Sequence, residues 1–196
     1  MDSISWKIID KMFKENPNFL TSHHLDSYNR FFDSGIKNVF KNQNPMKFYR
    51  TKDEKHKIFK HKADIYFGGK NADKIYYGKP IIYDKDENKE RQHYMYPNEA
   101  RIRNMSYAFT IHYDVDIDIT ILIDNNSGNE TKRDKTDKHA DIPLKYDIHE
   151  ETITLEKIYL GRFPIMMQSN LCFLKGLEPE ARFNLGECRN DYGGYF

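Results

Sequence analysis

Two periodicities divide this chain before anything is counted. Over the opening positions, Trp6, Ile9, Met12 and Phe13 recur three or four residues apart, as one face of a helix requires. Asp2 or Ser3 offers a cap for that helix, and Asn16-Pro17 offers a stop. A second helix is predicted after Thr21 or Ser22, with Leu25, Tyr28, Phe32, Ile36 and Val39 along one face. Gly35 interrupts it, at a propensity cost of about 1 kcal/mol relative to Ala. Helix is therefore predicted within 1–41, and the polar, basic stretch 42–62 reads as a connector.

From Ala63 onward the pattern is that of strands. Ala63–Gly69 is strand-like, and Ile75–Tyr83 is rich in β-formers but broken by Gly78 and Pro80, which predicts short or edge strands. A charged turn over 84–92 and an extended piece over 93–96 lead to a short helix at Pro97–Arg103, with Pro in its first turn and an acid just behind. The clearest alternation runs from Tyr113 to Ile123. Tyr113, Val115, Ile117, Ile119, Ile121 and Ile123 take one face; Asp114, Asp116, Asp118, Thr120 and Leu122 take the other. One buried and one solvated face predict an antiparallel sheet. A long polar excursion over 124–141, strands at 142–146 and 153–165 (bent near Gly161 and Pro164) and a short helix at 178–185 complete the reading. No internal repeat is present. The fold class is α+β, with N-terminal helices packed on a mainly antiparallel sheet.

Composition narrows the function classes. The 196 residues suffice for one good core, and a net charge of +1 means that any nucleic-acid contact must come from local patches. Cys172 and Cys188 belong to no Cys-x-x-Cys or Cys/His quartet, so structural zinc is not indicated; their spacing leaves a disulfide open, while free thiols suit a chain without a signal peptide. Nowhere do about eighteen apolar residues run together, so the chain reads as soluble and intracellular.

Candidate chemistry is sparse. Asp114, Asp116 and Asp118 place three carboxylates in a row, but a calcium loop needs Gly at its sixth position and this chain has Ile119. A sheet face or a contact inside a larger assembly is the plainer reading. His23-His24 lack the i,i+4 spacing of a zinc helix, and no Walker loop, nucleophile elbow or Cys-His pairing is visible. No self-contained active site is found. Between Lys47 and Lys62 stand Lys47, Arg50, Lys52, Lys55, Lys57, Lys60 and Lys62, interleaved with Phe48, Tyr49 and Phe59. Such a stripe can hold a phosphate backbone, or it can be a solvated connector. Arg101, Arg103 and Arg162 are open in the same way: a guanidinium grips phosphate bidentately, or it cements sheet edges through carboxylates, Glu99 being a partner for one of the first two.

Three phrases occur in order: Pro97-Asn-Glu-Ala-Arg-Ile-Arg-Asn104, Gly161-Arg-Phe-Pro-Ile-Met166, and Glu187-Cys188 followed by Gly193-Gly-Tyr-Phe196. With Leu25-Asp-Ser-Tyr-Asn-Arg-Phe31 ahead of them, the chain resembles the N-terminal part of the second-largest subunit of eukaryotic-type, multisubunit DNA-directed RNA polymerases. Gln168 departs from that pattern, standing where the family commonly has Arg. The resemblance implies an incomplete protrusion domain spanning 1–196, a non-catalytic wall above the DNA cleft, inactive alone but part of a nucleotidyltransferase. It implies that this chain binds no cofactor, the Mg of the whole enzyme lying on another subunit. The implied partners are the largest subunit, the rest of this subunit, DNA template or RNA–DNA hybrid, and initiation factors, with no membrane. The resemblance puts DNA nearby but does not extend over 42–63; on their own chemistry the candidate nucleic-acid contacts are Lys55, Lys57, Lys60, Lys62, Arg101, Arg103 and Arg162. The setting is intracellular: nucleus, or host cytoplasm and virion for the polymerase of a large DNA virus, which a Lys-, Asn-, Ile- and Tyr-rich composition suits. A free-standing binding protein derived from the same domain is the alternative.

Overall fold

A computed structural model describes residues 2–16, 18–86, 89–125, 131 and 138–195. In chain order the elements are helices α1 (Asp2–Glu15) and α2 (Ser22–Arg30), a π-helical turn (Phe31–Gly35), α3 (Ile36–Gln43), strands β1 (Met46–Asp53), β2 (Ile58–Phe67), β3 (Ile75–Gly78), β4 (Ile81–Asp86) and β5 (Lys89–Tyr94), α4 (Pro97–Ile102), β6 (Ala108–Asp124), β7 (Tyr146–Pro164) and α5 (Pro179–Asn184). Five strands form one sheet in the order β1-β2-β6-β3, with β7 also paired to β6, and β4 and β5 form a separate antiparallel pair. The α+β class and the mainly antiparallel sheet are as the sequence predicts. Among the described residues no helix is long and apolar enough to cross a membrane.

The chain forms two compact units: 1–36, 77–112 and 159–196 make one, and 37–76 with 113–158 make the other. The first has an aromatic core. Phe32 is only 8% exposed, and its ring centroid lies 4.8 Å from Tyr28, 5.0 Å from Phe109, 6.0 Å from Phe163 and 6.3 Å from Tyr77. The polar ends of the two tyrosines are satisfied: Tyr77 donates to the Phe32 carbonyl and Tyr28 to the Pro164 carbonyl, each at 2.8 Å. Gly78 is needed where β3 passes close to Thr110, because a Cβ there would overlap Thr110 Oγ1.

The second unit buries Ala72, Val115, Leu122 and Tyr146. Its sheet is registered by Ile65 opposite Ile117 and Asp64 opposite Asp118 on β2 and β6, and by Phe48 opposite Ala63 on β1 and β2.

Several expectations are corrected. The stretch 42–62 is not a connector: most of it is the β1–β2 hairpin, whose strand signal is faint because β1 is exposed along nearly its whole length and its alternation is limited to Met46-Lys-Phe48. The charged turn 84–92 is largely the β4–β5 hairpin, with 87–88 outside the described residues. Ile142–Lys145 is turn rather than strand, and β7 starts only at Tyr146. The helix over 21–41 contains a π turn, and beyond it Ile36 is buried while Val39 is exposed. Thr21 does not cap α2 with its side chain; its hydroxyl donates to the Tyr192 and Asn18 carbonyls. The predicted face of α1 forms, but Trp6, Ile9, Met12 and Phe13 are all exposed. The stop at Pro17, the caps at Asp2 and Ser3, most of 124–141 and Phe196 lie outside the described residues or side chains.

Candidate nucleic-acid interface

The basic stripe resolves into a hairpin in the second unit with two kinds of lysine. Lys55 and Lys57 belong to the turn between β1 and β2, where Lys57 adopts φ +57. One carboxylate holds that turn. Asp53 accepts hydrogen bonds from the Lys55 backbone N–H at 2.9 Å and from the Tyr146 hydroxyl at 2.5 Å, and its Oδ2 lies 2.8 Å from His56 Nδ1. Lys145 Nζ stands 3.5 Å away. Hydrogen bonds from Tyr146 and His56 hold the Asp53 carboxyl well below the usual carboxylate range. Sequence reasoning missed this anchor, since Tyr146 is 93 positions from Asp53.

Lys60 and Lys62 lie on β2 and are already paired. Lys60 donates to Asp124 at 3.0 Å and sits over the Tyr146 ring, 5.5 Å from its centroid. Lys62 meets Asp64 at 2.6 Å. The hydrogen bond to its aspartate raises each lysine's pKa. Beside them the Tyr49 and Phe59 rings stack, 4.8 Å between centroids.

The three arginines lie in the first unit. Arg103 is clamped: its guanidinium reaches Asp84 through two nitrogens at 2.7 and 3.2 Å, and Glu99 at 3.0 Å. Arg101 instead donates to Asn98 Oδ1 and lines a cleft of about 560 Å³ with Asn98, Glu187 and Asp191. Burial pushes the Glu187 carboxyl up while it accepts the Asn98 N–H. Arg162 is exposed and makes no hydrogen bond or ion pair among the described residues. Gln168 is buried; it donates to Asp191 at 3.0 Å and faces Arg182 at 3.4 Å. Cys172 is a buried free thiol and Cys188 an exposed one.

The aspartate row of β6 is not solvated, contrary to the alternation argument. Asp114 accepts from Tyr76 and from the Lys157 backbone N–H, both at 2.9 Å. Asp116 accepts from Lys74 at 2.9 Å and Thr154 at 2.9 Å. Asp118 meets Lys70 at 2.7 Å and accepts from Thr152 at 2.8 Å. Lys70 and Thr152 hold the Asp118 pKa down; at Asp116 burial pushes up, but the hydrogen bonds from Lys74 and Thr154 win. These carboxylates tie strands and the 70–76 segment together. No cluster of three or more His, Cys, Asp or Glu among the described residues is placed to hold a metal.

The profile of a family described as RNA polymerase beta subunit matches residues 19–196. The chain is 33% identical over 201 residues to the DNA-directed RNA polymerase II subunit RPB2 of Eremothecium gossypii, covering 98% of this chain and 14% of that protein. It is 31% identical over 195 residues to the same subunit of Meyerozyma guilliermondii, covering 97% and 14%. The DNA-directed RNA polymerase subunit Rpo2N of the archaeon Methanothermobacter thermautotrophicus is 26% identical over 196 residues, covering 100% of this chain and 28% of that protein.

Proposed function

The chain belongs to the RNA polymerase beta subunit family, and on that premise we propose that it is the non-catalytic N-terminal part of the second-largest subunit of a DNA-directed RNA polymerase, forming a wall of the DNA cleft. The observation that carries the reading is coverage: one family accounts for 19–196, and relatives from fungi and an archaeon align over nearly the whole chain. The chain spans about a seventh of the fungal relatives it matches and about a quarter of the archaeal one. RNA synthesis therefore belongs to the assembly in this reading, with Mg held by another subunit and this chain inactive alone. Its partners are the largest subunit, the remainder of this subunit, template DNA or the RNA–DNA hybrid, and initiation factors. Its location is that of the polymerase: the nucleus, or host cytoplasm and virion for a viral enzyme.

Within this role the hairpin supplies the nucleic-acid contact through Lys55 and Lys57 at its turn and Lys60 and Lys62 on β2, the last two as phosphate displaces their aspartates. Arg101 and Arg162 are further contacts, whereas Arg103 is spent on Asp84 and Glu99. The test measures affinity for duplex DNA against salt concentration. Each lysine that neutralises a phosphate contributes about 0.9 to the slope of log affinity on log salt. Replacing Lys55, Lys57, Lys60 and Lys62 by Ala flattens the slope by about 0.9 per lost contact; an unchanged slope removes the hairpin from the interface. Failure of a largest subunit to copurify with the native protein would remove the assembly role itself.

A further inference from the structure

We propose that the free edge of β1 docks an extended strand of a partner polypeptide in which acidic and apolar residues alternate. This goes beyond the nucleic-acid reading and rests on different atoms of the same hairpin. In the sheet order β1 is terminal, with β2 as its one neighbour. Residues 46–52 are all exposed. Among the described residues no backbone hydrogen bond reaches β1 from outside its pairing with β2. The eight-residue strand therefore presents a row of N–H and C=O groups able to template another strand.

Side chains state what that strand carries. On one face Met46, Phe48 and Arg50 stand opposite Ile65, Ala63 and His61, and the row continues through Ile117, Ile119 and Ile121 of β6. This is an apolar sheet face running out to the edge, where Phe48 is 53% exposed. On the other face Lys47 and Tyr49 stand opposite Asp64 and Lys62. Thr51, φ +57, interrupts the pairing, which resumes in the same register with Lys52 opposite Phe59. Lys47 and Arg50 make no ion pair with a described residue. A strand laid beside β1 thus meets apolar side chains on alternate positions and cations between and beyond them. An edge merely guarded against aggregation carries charge without exposed Phe and Tyr. A second copy of this chain fits poorly, because edge-to-edge pairing sets Lys47, Arg50 and Lys52 against the same cations.

The test uses the 196-residue chain and a fluorescent (Glu-Val)4 peptide, with binding read by anisotropy and β1 amide exchange read by mass spectrometry. Saturable binding is expected, with slowed exchange over 46–52. The exposed double substitution Lys47→Glu and Arg50→Glu is expected to weaken it at least tenfold. The same peptide with Pro at alternate positions, which keeps the charge but cannot make the ladder, is expected to lose at least tenfold. The peptide arms decide the matter even where the double variant misfolds. No saturable binding, equal binding of the Pro peptide, or unchanged amide exchange overturns the proposal. So does a single-stranded oligonucleotide that displaces (Glu-Val)4 and binds tighter without slowing exchange, since that marks a phosphate surface.

Discussion

Replacing Phe32 by Ala tests whether the aromatic core of the first unit is what holds it together. The ring is 8% exposed and touches Tyr28, Tyr77, Phe109 and Phe163. Burying a Phe side chain is worth about 1.5–3 kcal/mol, and the cavity left by truncation brings a core Phe→Ala to about 3–5 kcal/mol. Edge-to-face geometry adds to the loss: the Phe32–Phe109 planes meet at 82° and the Phe32–Tyr77 planes at 88°. For a chain of this length 1 kcal/mol moves the melting midpoint by about 2–4 °C, so a fall of about 6–20 °C is expected. Near-UV circular dichroism during thermal and urea unfolding reads it directly from the aromatics. Tyr83, 72% exposed in the same unit, is the control; its Ala variant should stay within about 0.5 kcal/mol of the parent. Phe32→Leu should fall between them. Equal midpoints for the Phe32 and Tyr83 variants would refute the placement of the core.

Two further outcomes follow from the same geometry. The folded pKa of Asp118 lies below its ordinary 3.8, so its stabilisation is complete above about pH 4 and is lost as pH falls through the folded value; in acid titrations followed by far-UV dichroism, Asp118→Asn should be less stable at neutral pH and show a shallower acid transition. Gly78→Ala should destabilise through its overlap with Thr110 Oγ1, and adding Thr110→Ala should restore much of the loss in urea melts, because Thr110 Cβ stands an unstrained 3.6 Å away.

Local chemistry made part of this fold legible. Pro97 starts α4 where its missing N–H costs nothing, Gly78 and Pro80 divide β3 from β4, and the alternation of 113–123 gives the centre of β6. What escaped depends on partners distant in sequence. β1 is recognisable chiefly through β2, since a basic exposed edge strand in which only Met46-Lys-Phe48 alternates has little periodic signal of its own. The aspartates of β6 read as a wet face because the groups that cover them, Lys70, Lys74, Tyr76, Thr152 and Thr154, lie 34–48 positions away. The candidate site followed the same rule. Its lysines could be named from sequence, but the pairing of Lys60 and Lys62 and the Asp53 anchor at the turn required the sheet.

The covered aspartates also remove an ambiguity that alternation leaves behind. β6 and β7 run for 17 and 19 residues, and a slip of two between them would return every side chain to its own face. Hydrophobicity alone cannot penalise such a slip. The native register puts Asp116 against Thr154 and Asp118 against Thr152. Moved two residues one way, Asp116 meets Glu156; moved the other way, Asp118 meets Glu150. Both neighbouring registers bring carboxylate onto carboxylate, so the row acts as a ruler that assigns these long strands one alignment.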